Sequence, residues 1–129
     1  MSAGSASVSG GEYGIASGLR SSVSGGYDNT ASDKEASVSG GQENKASGLG
    51  ASVSGGLYNE ASGTGSWASG GAESKVSGFF ASVSGGVLNK ASGLGSSVLG
   101  GYENTATGNY SAILGGKGLT LPTEFGEDY

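Results

Sequence analysis

The sequence contains no cysteine and no histidine. Without thiols there is no disulfide framework, and without imidazoles the Ser–His–Asp and Cys–His types of catalysis and most zinc sites are excluded. No apolar run has the length of a membrane span, and Met1 to Gly4 lack the charged and apolar stretches of a signal peptide. We therefore expect a protein that is not an enzyme, holds no cofactor or metal and does not insert into a membrane.

Charge is also scarce, since Asp, Glu, Lys and Arg make up 13% of the chain. The net charge is −5 and there is no dense basic run. Because nucleic acids and anionic membranes attract basic surfaces, neither is an expected partner.

What the chain does contain is small residues in a strict repeat. Gly (29), Ser (25) and Ala (14) make up just over half of it. Starting at Ala6, which we take as repeat position 1, eight 15-residue units follow one another without an insertion, and each has Gly-Gly at positions 5 and 6. A flexible Gly/Ser linker would not need this phase, so the repeat predicts a folded solenoid.

Each unit contains two short alternating runs of the type A-S-V-S-G and N-x-A-S-G. Alternation with a period of two is typical of a strand, and the frequent Gly and β-branched residues disfavour a helix. We expect the Gly-Gly pair to supply positive φ at one corner and the glycine at position 13 to supply it at the other. The predicted fold is all-β: a parallel β-solenoid, in the form of a two-sided β-roll of about eight 15-residue coils.

The Asn residues at position 9 are predicted to point inward, where their amides must be satisfied. In a stack they can bond to backbone at the corner and to the Asn above and below. The alternative is that each is simply a turn residue that tolerates left-handed backbone. The predicted ladder consists of Asn29, Asn44, Asn59, Asn89 and Asn104.

Apolar residues recur at two positions that fall in turns. Aligned apolar residues form exposed stripes, and a thin Ala/Val core stabilises a small domain poorly, so we expect these stripes to pack identical rods together. The alternative is that they fold back over the edge of their own coil. The candidates are Leu19, Leu49 and Leu94 at position 14, and Tyr27, Leu57, Val87 and Tyr102 at position 7.

Unit five departs from the pattern, with Trp67 where other units have Ser or Ala, and Ala68 in the Val column. The aromatic cluster is either a recognition patch or a plug that fills the gap left by Ala68, and we expect the plug. If one patch binds a ligand, its candidates are Tyr58, Trp67, Phe79 and Phe80.

The chain divides into a lead-in (1–5), the roll (6–116), and a C-terminal cap with an acidic tail (117–129). Pro122 cannot donate a backbone hydrogen bond to a further strand, so we expect stacking to end there.

The motif S-V-S-G-G…N-x-A-S-G resembles the head repeats of YadA-type trimeric autotransporter adhesins, which are related to repeats in phage and other surface fibres. The resemblance covers Ala6 to about Gly116. It implies a left-handed roll, a homotrimer and an extracellular place on a cell surface or virion fibre, where a rigid rod attaches to a host or environmental protein or glycan. In the adhesin family position 4 is a second apolar residue, whereas here six of eight units have Ser.

Two other functions remain open. The N-x-A-S-G run is also similar to the N-x-V-x-G repeats of grass-type ice-recrystallisation inhibitors, although the outward columns here are mostly Ser rather than Thr. The third possibility is a structural subunit whose rods join end to end in a filament.

Overall fold

The structure, a computed structural model, describes residues 4–122 and 127–128. It confirms an all-β parallel solenoid of about eight 15-residue coils. Those described residues contain no helix, and so none that could cross a membrane.

Each coil places one two-residue strand in each of two sheets, and every strand pairs in parallel with the equivalent strand of a neighbouring coil. Within the described residues, the first sheet has nine strands, β1 Ser7–Val8, β3 Ser22–Val23, β5 Ser37–Val38, β7 Ser52–Val53, β9 Trp67–Ala68, β11 Ser82–Val83, β13 Ser97–Val98, β15 Ala112–Ile113 and β17 Glu127–Asp128. The second has eight, β2 Ile15–Ala16, β4 Thr30–Ala31, β6 Lys45–Ala46, β8 Glu60–Ala61, β10 Lys75–Val76, β12 Lys90–Ala91, β14 Thr105–Ala106 and β16 Thr120–Leu121.

The core between the sheets is thin because it consists of small side chains. From the second coil onward, the column at position 3 is buried, as is the Ala column at position 11 until the last coil. Equivalent residues lie directly over one another, as in the register of Val23 with Val38 and of Val38 with Val53. The inward and outward sides of both runs are as the alternation predicts except at position 5, where from the second coil onward a Cβ on the glycine would meet no atom within 4 Å.

The Asn side chains at position 9 join neighbouring coils through the backbone. The side-chain Nδ2 of Asn44 donates to the carbonyl of Gly40 in its own coil and to that of Gly56 in the next, each at 2.9 Å. Its Oδ1 accepts from the backbone N–H of Asn59 at 2.9 Å. The bonds therefore run from side chain to backbone. Left-handed backbone lies instead at position 8, just before each Asn.

The corners differ from the sequence expectation in where the positive φ lies. The second glycine of each pair has positive φ, for example 86° at Gly26, but the glycine at position 13 does not. Positive φ occurs instead at positions 8 and 15, where side chains as large as those of Tyr58 and Phe80 stand. Position 13 favours glycine for another reason: a Cβ at Gly48 would meet the backbone of Gly63 in the next coil.

The left-handed residues reverse the direction of hydrogen bonding between coils. Strand residues donate forward, as Ser37 N–H does to the carbonyl of Ala51 at 2.9 Å. Residues at positions 8 and 15 donate backward, as Tyr58 N–H does to the carbonyl of Gln42 at 3.0 Å. A left-handed non-glycine residue costs about 1 kcal/mol or more, and this backward bond offsets the cost.

Two expectations about particular residues are wrong. Trp67 does not plug the core, because its side chain lies on the outer face and is 47% exposed. Val76 of the same coil stands in the column that holds Ala in every other coil except the last, and it supplies the bulk that Ala68 lacks, so the two changes nearly conserve core volume.

Stacking also does not end at Pro122. The second sheet does end with β16, but β17 pairs in parallel with β15 and continues the first sheet in the same register. Lys117 likewise stays in register with Tyr102. Residues 1–3 of the lead-in lie outside the described part of the chain, as do the side chains of the acidic tail.

One coil interrupts the Asn column and provides a test of its importance. Ser74 is fully buried at position 9, and its hydroxyl has no hydrogen-bond partner. Ser74 also has no amide oxygen that could accept the N–H of Asn89. Replacing Ser74 with Asn should therefore raise the free energy of unfolding by about 1–2 kcal/mol, measured by urea denaturation.

The matched control is the reverse change in the coil before, Asn59→Ser. It removes the bonds from the Asn59 side chain to Gly55 and Gly71 and the acceptor for Ser74 N–H. This variant should be destabilised by a similar amount or more. If Ser74→Asn lowers stability, the Asn side chains do not stabilise the stack in the way described.

Candidate functional surfaces

The outer face of the first sheet is a flat surface of serine hydroxyls over its first four coils. The serines at position 2 there range from half-buried to exposed, and those at position 4 are exposed. Trp67 interrupts this face in the fifth coil, and its indole Nε1 donates to Ser54 Oγ at 3.3 Å. Further along, Leu99 and Leu114 replace Ser at position 4, and both side chains are about half exposed.

The four candidate patch residues do not form one cluster. Tyr58 lies at the corner between the Gly-Gly pair and the second sheet, which we call the first corner. Phe79 and Phe80 lie at the opposite edge of the coil, at the second corner between the second sheet and the next coil, and are 57% and 69% exposed.

Phe79 and Phe80 are neighbours in the chain and share the second corner, whereas Trp67 lies on the outer face of the first sheet, where its indole nitrogen reaches Ser54 of the preceding coil. The ring of Phe80 occupies the space over Gly65, where a Cβ would collide with it, and Gly65 comes just before the strand that carries Trp67. The same arrangement recurs two coils later, where Tyr110 lies over Gly95. A glycine at position 15 thus makes room for an aromatic ring from the following coil.

The two apolar stripes run along opposite corners of the roll. Position 7 forms a column of parallel backbone bridges along the first corner, and the apolar stripe there consists of Tyr27, Leu57, Val87 and Tyr102. Leu19, Leu49 and Leu94 lie along the second corner. All of these residues are between 37% and 44% exposed. Within the chain, the ring of Tyr27 contacts that of Tyr13 and the ring of Tyr102 lies beneath the Lys117 ammonium.

A shallow groove runs along the first corner, between the columns at positions 8 and 10. It is lined by Tyr58, Glu73, Lys75, Leu88 and Lys90. Beyond Leu88 and Lys90 it continues to Glu103 and Thr105. The sequence analysis does not predict this groove, because it assigns no role to position 8. The signal was the recurrence of acids at position 8, close to the charged position 10.

The charged column of the second sheet is in register, as its sequence spacing indicates. Glu60 pairs with Lys45 on one side and Lys75 on the other, and Lys75 then pairs with Lys90. None of these neighbours forms a close ion pair. In the described part of the chain, the ion pairs join Glu35 to Arg20 at 3.7 Å and to Lys34 at 4.0 Å, at the second corner.

Carboxylates beside the first corner perturb two tyrosines. Hydrogen bonding to Glu43, followed by the negative charge of Glu43, raises the pKa of Tyr58 above its ordinary value of 10.0. Glu103 raises the pKa of Tyr102 in the same way. Both hydroxyls therefore stay neutral to higher pH than a free tyrosine, and act as hydrogen-bond donors to the acids.

The described residues contain no group of three or more Asp or Glu side chains placed to hold a metal ion. Compared with protein-family models and with curated protein sequences, the chain matches none. The chemistry that these surfaces offer is hydroxyl, aromatic and charged contact repeated at the spacing of the coils.

The tyrosine environment can be tested by titration. Because the folded-state pKa of Tyr58 is raised, its stabilising contribution is present below the unfolded pKa and is lost as pH rises through the folded pKa. Glu43→Gln should lower the pKa of Tyr58, measured by carbon NMR of the ring across the alkaline range. Tyr102 is the internal control, since Glu43 is not among the causes of its shift. An unchanged Tyr58 would contradict the assignment to Glu43.

Proposed function

We propose that this chain is a non-enzymatic surface-fibre module, similar to an adhesin head, in which rigid rods associate side by side as a homotrimer and attach through repeated surface contacts. Such a module would work outside the cell or on a virion fibre. Its partner would be a host or environmental protein or glycan. The roll would have the left-handed turn of the family that the repeats resemble.

The main support is the solenoid itself with its exposed apolar stripes. Two continuous sheets hold each coil to the next, so the rod resists bending, and at about 4.8 Å per coil its eight coils extend about 38 Å. The side chains of both stripes are more than a third exposed, although aligned apolar residues are usually covered in a stable assembly. Attachment through many weak identical contacts gains strength from repetition and from the number of chains.

The assembly is tested by solution mass. Multi-angle light scattering on the full chain should give three times the chain mass of 12.3 kDa. A value equal to one chain would contradict the assembled rod, and very large species would favour the filament subunit instead.

The attachment is tested at Trp67 on the outer face of the first sheet. Trp67→Ser, which restores the residue usual at position 2, should reduce binding to an immobilised glycan array while leaving circular dichroism unchanged. Leu114→Ser on the same face is the matched control, because it also removes an exposed apolar side chain but lies three coils away. If both variants bind as the unsubstituted protein does, Trp67 takes no part in attachment.

The serine face favours a second candidate, ice binding. Over coils one to four the outward positions 2 and 4 are all Ser, and the stacked strands keep their hydroxyls in a regular flat array. If the protein binds ice, a dilute solution of it should show thermal hysteresis or faceted ice growth. The absence of both would exclude ice binding.

A further inference from the structure

The first-corner groove brings together charges of opposite sign that do not form ion pairs within the chain. In the fifth coil Glu73 and Lys75 stand on its two sides, and in the third coil Glu43 and Lys45 hold the same positions of the repeat, outside the lining of the groove. Yet the close ion pairs of the described residues all involve Glu35 at the other corner. These four charges are therefore not neutralised by a close ion pair within their own chain.

The two sides of the groove are also matched coil by coil. Coils with an acid at position 8 have a donor, Lys or Thr, at position 10. In the coil with an acid at position 10, Glu60, position 8 holds Tyr58 instead of a second acid. No described coil places two acids or two lysines across the groove from each other.

Within a single chain, one feature of this column is unfavourable. Lys75 and Lys90 are directly opposed on neighbouring strands, where like charges repel. The next residue in the column is the neutral Thr105, and position 8 of the same coil as Lys90 holds Leu88. Lys90 thus has no acid beside it in its own column or in its own coil, and an acid from another molecule would relieve the repulsion.

A second copy of the chain has the complementary pattern. If two parallel rods face each other around a rotation axis that runs along the rods, position 8 of one copy lies opposite position 10 of the other at the same coil. Glu43 then faces Lys45 of the other copy, and Glu73 faces Lys75. Lys90 lies between the levels of Glu73 and Glu103. The apolar stripe at position 7 runs beside these charges and would be covered by the same contact.

We propose that the first-corner groove is the surface through which copies of this chain dock, in parallel and with equivalent coils at the same level. The inference rests on the proposed function, since it specifies the contact of the assembled rod. It leaves the second corner, with Phe79 and Phe80, and the outer face of the first sheet, with Trp67, outside the contact. Opposite charges at matched heights set the register, and the apolar stripe supplies the buried area.

Charge reversal tests this register. Glu73→Lys places lysine opposite Lys75 of the neighbouring copy, and Lys75→Glu places acid opposite Glu73. Each variant alone should associate about tenfold more weakly than the unsubstituted chain, measured by analytical ultracentrifugation. An equimolar mixture of the two should recover part of the association, because in a mixed trimer two of the three contacts join unlike copies and again place opposite charges together. Recovery on mixing requires pairing between molecules.

Matched controls come from the second corner. Glu35 is an exposed acid in left-handed backbone, as Glu73 is, and its ion pairs are exposed to solvent. Glu35→Lys and Lys34→Glu repeat the same two charge changes away from the groove. Both should leave the mass unchanged.

The outcomes separate the inference from the function on which it rests. If the unsubstituted chain is an oligomer but the reversals do not weaken it, or mixing restores none of the association, the groove is not the docking surface and the assembled rod remains. If the unsubstituted chain is a single copy, both the assembly and the docking surface are wrong.

Discussion

The structure depends on one constraint: a constant 15-residue coil places equivalent backbone groups of successive coils within hydrogen-bonding distance of each other. Strand residues such as Ser37 donate forward to the next coil, and the left-handed residues at the corners donate back. Asn44 adds a third connection, from its side chain to the backbone of both coils. A one-residue insertion would turn every following side chain to the opposite face. The constant length of the repeat is therefore what keeps the core inside.

This constraint explains how a sequence made mostly of small residues can fold. An Ala/Val interior buries less apolar area per residue than an ordinary core, so the hydrophobic contribution is small. Repeated backbone bonds and the buried Asn side chains make up part of the difference. Each coil stabilises its neighbours only, as in other solenoids, and the stability of the whole grows with the number of coils.

Most of the fold follows from the sequence because period and alternation are properties of the chain itself. A fixed 15-residue period is visible in the sequence for the Val and Ala columns, the inward Asn and the outward Ser.

The wrong predictions concern features that depend on neighbouring coils. Position 13 favours glycine in most coils because the next coil is too close for a Cβ, which a single unit cannot reveal. The compensation of Ala68 by Val76 depends on both sheets together, and Pro122 interrupts only the second sheet, although its missing N–H predicts an end to both. The surfaces were less predictable for the same reason. Glu73 and Lys75 are close in sequence, yet only the structure shows that they stand on two sides of one groove without pairing.

Contact between equivalent side chains of successive coils is the central claim, and methyl NMR of valine-labelled protein measures it directly. The account predicts nuclear Overhauser contacts from the Val38 methyls to those of Val23 and of Val53, with all three protected from solvent. The account would be contradicted if these valines were exposed to solvent, or if their methyls contacted no valine at the equivalent position of a neighbouring coil.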